Sequence, residues 1–149
     1  MSLFVSNQNK IKLLPEDVAI RIAAGEVIDR PFSIVRELID NAIDSGATNI
    51  ELEVIGGGLE TVIVSDNGRG ISGDQFNLLG LRHATSKISS DKDLERIETL
   101  GFRGEALASI LACSEVEIIS KPEGQRTASR LFCLNGKRNI SKCAGSRGT

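Results

Sequence analysis

Between positions 32 and 45, in FSIVRELIDNAIDS, apolar residues recur three and four apart. At about 100° per residue, Ile34, Val35, Leu38, Ile39, Ala42 and Ile43 fill one half of a helical wheel. Arg36, Glu37, Asp40 and Asp44 lie on the other half; Asn41 falls at the boundary beside Ile34, with Glu37 one step further out. Pro31 or Ser33 suits the first turn, and Gly46 suits the position just past the helix end. An earlier helical pattern opens at Pro15, places Val18, Ala19 and Ile22 on one face, and breaks at Gly25.

The period then changes to two. Leu52 and Val54 alternate with Glu51 and Glu53; after three glycines, Val62 and Val64 alternate with Thr61, Ile63 and Ser65. Two such runs joined by a glycine-rich turn predict an antiparallel hairpin. Asp66 shares the parity of Val62 and Val64, so its carboxylate is directed to the aliphatic side, where it needs a hydrogen-bond partner. From 67 to about 100 the pattern is polar and interrupted, with DQFNLLGL as a short helical piece; this predicts a long mobile loop of the kind that forms lids. A helix is expected over 105–113. EVEIIS, ASRLFCL and KRNISKC follow as three strands, turning at Pro122 to Gly124 and at Asn135-Gly136. This order predicts an α+β fold, a two-layer sandwich of helices packed on a mainly antiparallel sheet.

Composition narrows the picture. A chain of 149 residues with 40% apolar positions makes one domain with a real core; aromatics at 3%, with no Trp or Tyr, make that core aliphatic. A net charge of -2 supplies no global basic field, which leaves DNA contact to a local patch or a further domain. Cys113, Cys133 and Cys143 form no CxxC pair, and with His83 as the one histidine they match no zinc spacing; they read as buried or free thiols in a reducing compartment. No apolar run approaches the roughly 20 residues of a membrane span, and the polar start is no signal peptide, so an intracellular protein is expected. The ending CAGSRGT, without a closing element, reads as a piece of something longer.

GRGISG, residues 68–73, has the spacing of a dinucleotide fingerprint, but its strand belongs to a hairpin rather than a βαβ unit, and no Walker phosphate loop is present. Three other features suit a nucleotide. Glu37 and Asn41, one helical turn apart, offer a base for water and an oxygen for magnesium; the alternative is a solvated helix shoulder. DNGRG places Asp66 to accept the exocyclic N–H of adenine, which guanine's carbonyl would oppose; the alternative is plain turn chemistry. GFRGEAL sets Arg103 between glycines where a helix begins, an anion-binding geometry; the alternative is an ordinary helix entry.

Together and in this order, ELIDNAIDSGA, DNGRGI and GFRGEAL resemble the nucleotide-binding motifs of the GHKL (Bergerat-fold) ATPases, and IAAGEVIDRP and RHATSKI resemble the MutL mismatch-repair members of that superfamily. The similarity runs from about Ile11 to Ala112. It implies Glu37 as general base, Asn41 as the magnesium ligand, and Asp66 with Gly70 as the adenine reader. Thr85, Ser86 and Lys87 match the lid segment. Arg103, Gly104, Glu105, Ala106 and Leu107 match the phosphate-binding helix entry, and Thr149 matches the threonine of a GT pair behind adenine. The resemblance further implies ATP and Mg2+ as cofactors, a partial N-terminal domain with a lid at about 68–103, and second and C-terminal domains that this chain lacks. The intact protein would hydrolyse ATP slowly and work as a dimeric clamp, a homodimer or MutL-type heterodimer. Its partners would be a mismatch-recognition protein, a downstream nuclease or helicase, and DNA reached partly outside this chain. The chain alone is expected to bind weakly and hydrolyse little. A histidine kinase, with His83 as the one candidate acceptor, and a non-catalytic binding module are the competing readings.

Overall fold

The computed structural model describes residues 13–15, 18, 19, 22, 31–81 and 106–149 of the chain. Helix α1 spans Pro31–Asp44. Its end is the one the glycine predicts: Gly46, at φ +76°, donates to the carbonyl of Ile43, and Ala47 donates to that of Ala42. Of the earlier helical pattern, Val18 and Ala19 donate to the Pro15 carbonyl as a helix start requires, and the rest lies largely outside the described residues.

Strands β1 (Ile50–Ile55) and β2 (Thr61–Asp66) form the expected antiparallel hairpin, with Leu52 opposite Val64 and Val54 opposite Val62. The three glycines turn it through a single 3₁₀ turn. Helix α2 spans Ala106–Cys113. It is apolar nearly all round, as a buried helix is. Strands β3 (Val116–Ser120), β4 (Ala128–Leu134) and β5 (Lys137–Cys143) complete the fold as an antiparallel meander.

The expected sheet is thus two sheets, β1-β2 and β3-β4-β5. The core lies where α2 meets the second sheet: Ala108, Ile110, Leu111, Leu131 and Cys133 are buried there with Phe76. α1 meets β2, the hairpin turn and α2. That strip is narrower than the apolar half of its wheel, so Ala42 is buried while Ile43 stays 49% exposed.

The start of the expected lid differs from expectation. Residues 68–76 are pinned to the sheet: the Ile71 amide donates to Ser120 Oγ, Phe76 is fully buried, and Arg138 donates to the Phe76 carbonyl. Residues 73–75 form a 3₁₀ turn in place of the helical piece. One aromatic with a ready slot outweighs the polar text around it. The remainder of the lid, 82–103, lies outside the described residues.

Candidate functional site

Ser33, Glu37, Asn41 and Ser45 recur every four residues along α1 and its last turn, where the Ser45 amide still donates to the Asn41 carbonyl. They form one stripe, drifting by about 40° per step and rising by about 6 Å, so Glu37 and Ser45 stand about 12 Å apart along the axis. Glu37 lines an open hollow of about 350 Å³ with Phe32, Ser33, Arg36 and Asp40. Arg36 lies 3.7 Å from Asp40, an exposed i,i+4 pair of small energetic weight. Neither Asn41 nor Asp66 lines this hollow.

The far end of the stripe meets Asp66. The Asp66 carboxylate accepts a hydrogen bond from the Gly68 amide at 2.7 Å through Oδ1, and Ser45 Oγ lies 3.4 Å from the same oxygen. Oδ2 takes no hydrogen bond among the described residues. The rest of DNGRG is structural. Asn67 accepts from the Thr48 and Asn49 amides and donates to Thr48 Oγ1, and the Arg69 guanidinium donates to the Asp44 carbonyl. The turn is thereby tied to the end of α1, which sets the distance between the helix stripe and the carboxylate.

Gly148 and Thr149 cross the ends of both sheets. The Asp66 amide donates to the Thr149 carbonyl at 2.8 Å, while Gly148 and Lys121 exchange two backbone hydrogen bonds. Gly148 sits at φ +102°, and a Cβ there would stand 1.9 Å from the Asp66 carbonyl oxygen. No other residue type allows so close a crossing. Gly70 packs against the Lys121 carbonyl. Asp66 and Gly70, four residues apart, therefore meet the distant Thr149 at one corner.

Ser120 is the hub of that corner, and sequence reasoning missed it. It is 1% exposed. Its hydroxyl accepts from the Ile71 amide at 2.7 Å, donates to the Gly148 carbonyl at 2.9 Å, and lies 2.8 Å from Thr149 Oγ1. The signal was present: Ser120 shares the inward parity of Val116 and Ile118, as Asp66 shares that of Val62 and Val64.

Ala106 and Leu107 open the described part of α2, which packs against α1. Thr85, Ser86, Lys87, Arg103, Gly104 and Glu105 lie outside the described residues, as does His83. The three thiols are free: Cys133 is buried and reaches the Leu111 carbonyl, and Cys113 and Cys143 are half-buried. Among the described residues no three His, Cys, Asp or Glu side chains stand together as a metal cluster, and no helix is long and apolar enough to cross a membrane.

Residues 30–142 match the family described as histidine kinase-, DNA gyrase B-, and HSP90-like ATPase. The chain belongs to this family. Its relatives there include the DNA mismatch repair protein MutL of Borreliella afzelii (strain PKo), 50% identical over 135 residues that cover 91% of this chain and 21% of that protein. A crystal structure of the N terminal domain of a DNA repair protein is 32% identical, with a TM-score of 0.67, over 87% of this chain and 37% of that one. The Aquifex aeolicus MutL ATPase domain complexed with ADP shares the fold, with a TM-score of 0.52 at 22% identity over 78% of this chain and 38% of that one. The likeness to MutL proteins read from IAAGEVIDRP and RHATSKI thus extends over most of the chain, and the GHKL ATPase fold is the observed one. The chain spans about a fifth of the length of the curated relatives it matches.

Proposed function

We propose that this chain is the nucleotide-binding part of an ATP-driven switch acting in DNA mismatch repair. The observation that carries the reading is the stripe of Glu37, Asn41 and Ser45 leading to Asp66, whose Oδ2 takes no hydrogen bond among the described residues. An extended nucleoside triphosphate laid along that stripe has adenine at Asp66 and its last phosphate toward Glu37. Asp66 Oδ2 accepts the adenine amino group, with Thr149 and Gly70 behind it. Guanine would bring a carbonyl to the same carboxylate and leave it unpaired.

Magnesium fits the donor chemistry. Asn41 supplies a hard amide oxygen, and a cation that keeps water and phosphate oxygens as ligands needs no protein cage. Bound with the nucleotide, magnesium would supply charge stabilisation to the phosphate oxygens. In hydrolysis the Glu37 carboxylate takes a proton from water; the water oxygen bonds to the γ-phosphorus as the bond to the β–γ bridging oxygen breaks, and ADP leaves. By the family resemblance, Thr85, Ser86 and Lys87 are the lid residues that would close over the phosphates, and Arg103, Gly104, Glu105, Ala106 and Leu107 those that would bind them. Nucleotide binding then shifts the intact protein, a homodimer or MutL-type heterodimer, toward a closed clamp inside the cell. Mismatch-recognition and nuclease partners read that state.

Glu37→Gln in the intact protein tests the roles. ATP affinity should stay within about threefold, while turnover falls by about a hundredfold or more. Normal turnover by this variant would remove Glu37 as the base. Normal ATP binding with no turnover in the wild type would instead favour the non-catalytic binding module.

A further inference from the structure

We infer that Ser120 is a positioning residue for adenine recognition, an inference that rests on the nucleotide reading above. The corner that would receive the base is built from three segments with no local reason to meet: the turn after β2, the end of β3, and residues 148–149. The Ser120 hydroxyl touches all three. A hydroxyl has one proton to give and two lone pairs to fill. Here the proton goes to the Gly148 carbonyl at 2.9 Å, and the lone pairs take the Ile71 amide at 2.7 Å and the Thr149 hydroxyl at 2.8 Å. All three capacities are used, in a side chain 1% exposed.

This arrangement has a directional consequence. With Ser120 already donating to the Gly148 carbonyl, its contact with Thr149 uses the threonine proton, so the Thr149 oxygen keeps its lone pairs for an acceptor role. The Thr149 carbonyl meanwhile receives the Asp66 amide at 2.8 Å. Asp66 Oδ2 and Thr149 Oγ1 are then two acceptors tied to one corner through the Asp66–Thr149 backbone hydrogen bond, complementary to an amino group with two N–H donors or to its bridging water. Ser120 touches neither base nor phosphate; it acts through Thr149 and the backbone of 148.

The test compares ATP with purine riboside triphosphate, which lacks the 6-amino group, by equilibrium binding to the intact protein. Ser120→Ala should weaken ATP by about tenfold and leave the analogue within about twofold. Ser120→Thr, which keeps the hydroxyl, should restore the preference. Thr149→Val removes the acceptor and keeps the shape, so it should erase the same preference, and the double variant should lose little more than either single one. A purely structural role would weaken both nucleotides in parallel, and that result, or unchanged discrimination in Ser120→Ala, overturns the assignment. Where Ser120→Ala fails to fold, Ser120→Thr must still keep the preference and Thr149→Val must lose it; unchanged discrimination in Thr149→Val overturns the assignment equally. A wild type that binds both nucleotides alike would sink the adenine reading itself, and this inference with it.

Discussion

Asp66 and Ser120 are small polar groups at inward strand positions; Ser120 is buried, where an unpartnered hydrogen-bonding atom costs about 1–3 kcal/mol, and Asp66 is half-buried. Ser120 uses its full complement within the chain, while Asp66 leaves Oδ2 without a hydrogen bond among the described residues. A half-buried carboxylate oxygen at a strand end is open to a ligand's donor. Asn41 sits one helical turn from Glu37 on α1. If its amide oxygen serves the cation, Asn41→Ala should weaken ATP by about tenfold with magnesium present and change little in EDTA. Isothermal titration in both buffers checks this, and equal loss in the two would assign Asn41 to the fold. Asp66 was readable because two valines set its parity. Ser120 carried the same parity signal, but its partners lie 28, 29 and 49 residues away, where periodicity has no reach.

Helix α1 and the hairpin were readable as elements because their own periods and terminating glycines specify them. Gly46 and Gly148 show how different two such glycines are. Gly46 closes a local motif at φ +76°, with nothing within 4 Å of a Cβ there. Gly148 adds to its φ of +102° a Cβ position 1.9 Å from the Asp66 carbonyl oxygen. Gly46→Ala should cost about 1 kcal/mol, the penalty of a left-handed alanine. Gly148→Ala should cost roughly 3 kcal/mol, because the ends of β2 and β3 must part as well. Urea unfolding of the two variants measures the difference, and equal midpoints would mean the crossing is loose. The burial of Phe76 was missed for a related reason. Polar text from 67 onward gave no hint that Phe76 enters the core, since one buried aromatic has no period to betray it.

At the scale of the molecule, two separate sheets are joined by hydrogen bonds of residues 148–149 to Asp66 and Lys121. The proposed adenine corner is that junction. A ligand seated there should therefore stabilise the whole fold rather than one loop. At a hundred times its Kd, Mg-ATP should add about 2.7 kcal/mol, a rise of about 5 to 10 °C in Tm. Mg-GTP at the same concentration should raise it far less. A melting scan with each nucleotide checks both, and no shift with Mg-ATP at saturating millimolar levels would count against a nucleotide site in this chain.

Helix, hairpin and meander, the α+β class, and the pairing of Glu37 with Asn41 on one helix face follow from the sequence by itself, because each rests on residues a few positions apart whose spacing matches a backbone period. The split into two sheets, the pinning of 68–76 by Phe76, and the meeting of Asp66, Ser120 and Thr149 were decided only by the tertiary structure. Those contacts join residues tens of positions apart. Close packing and the need to satisfy buried hydrogen-bonding groups select them, and neither leaves a periodic trace in the chain.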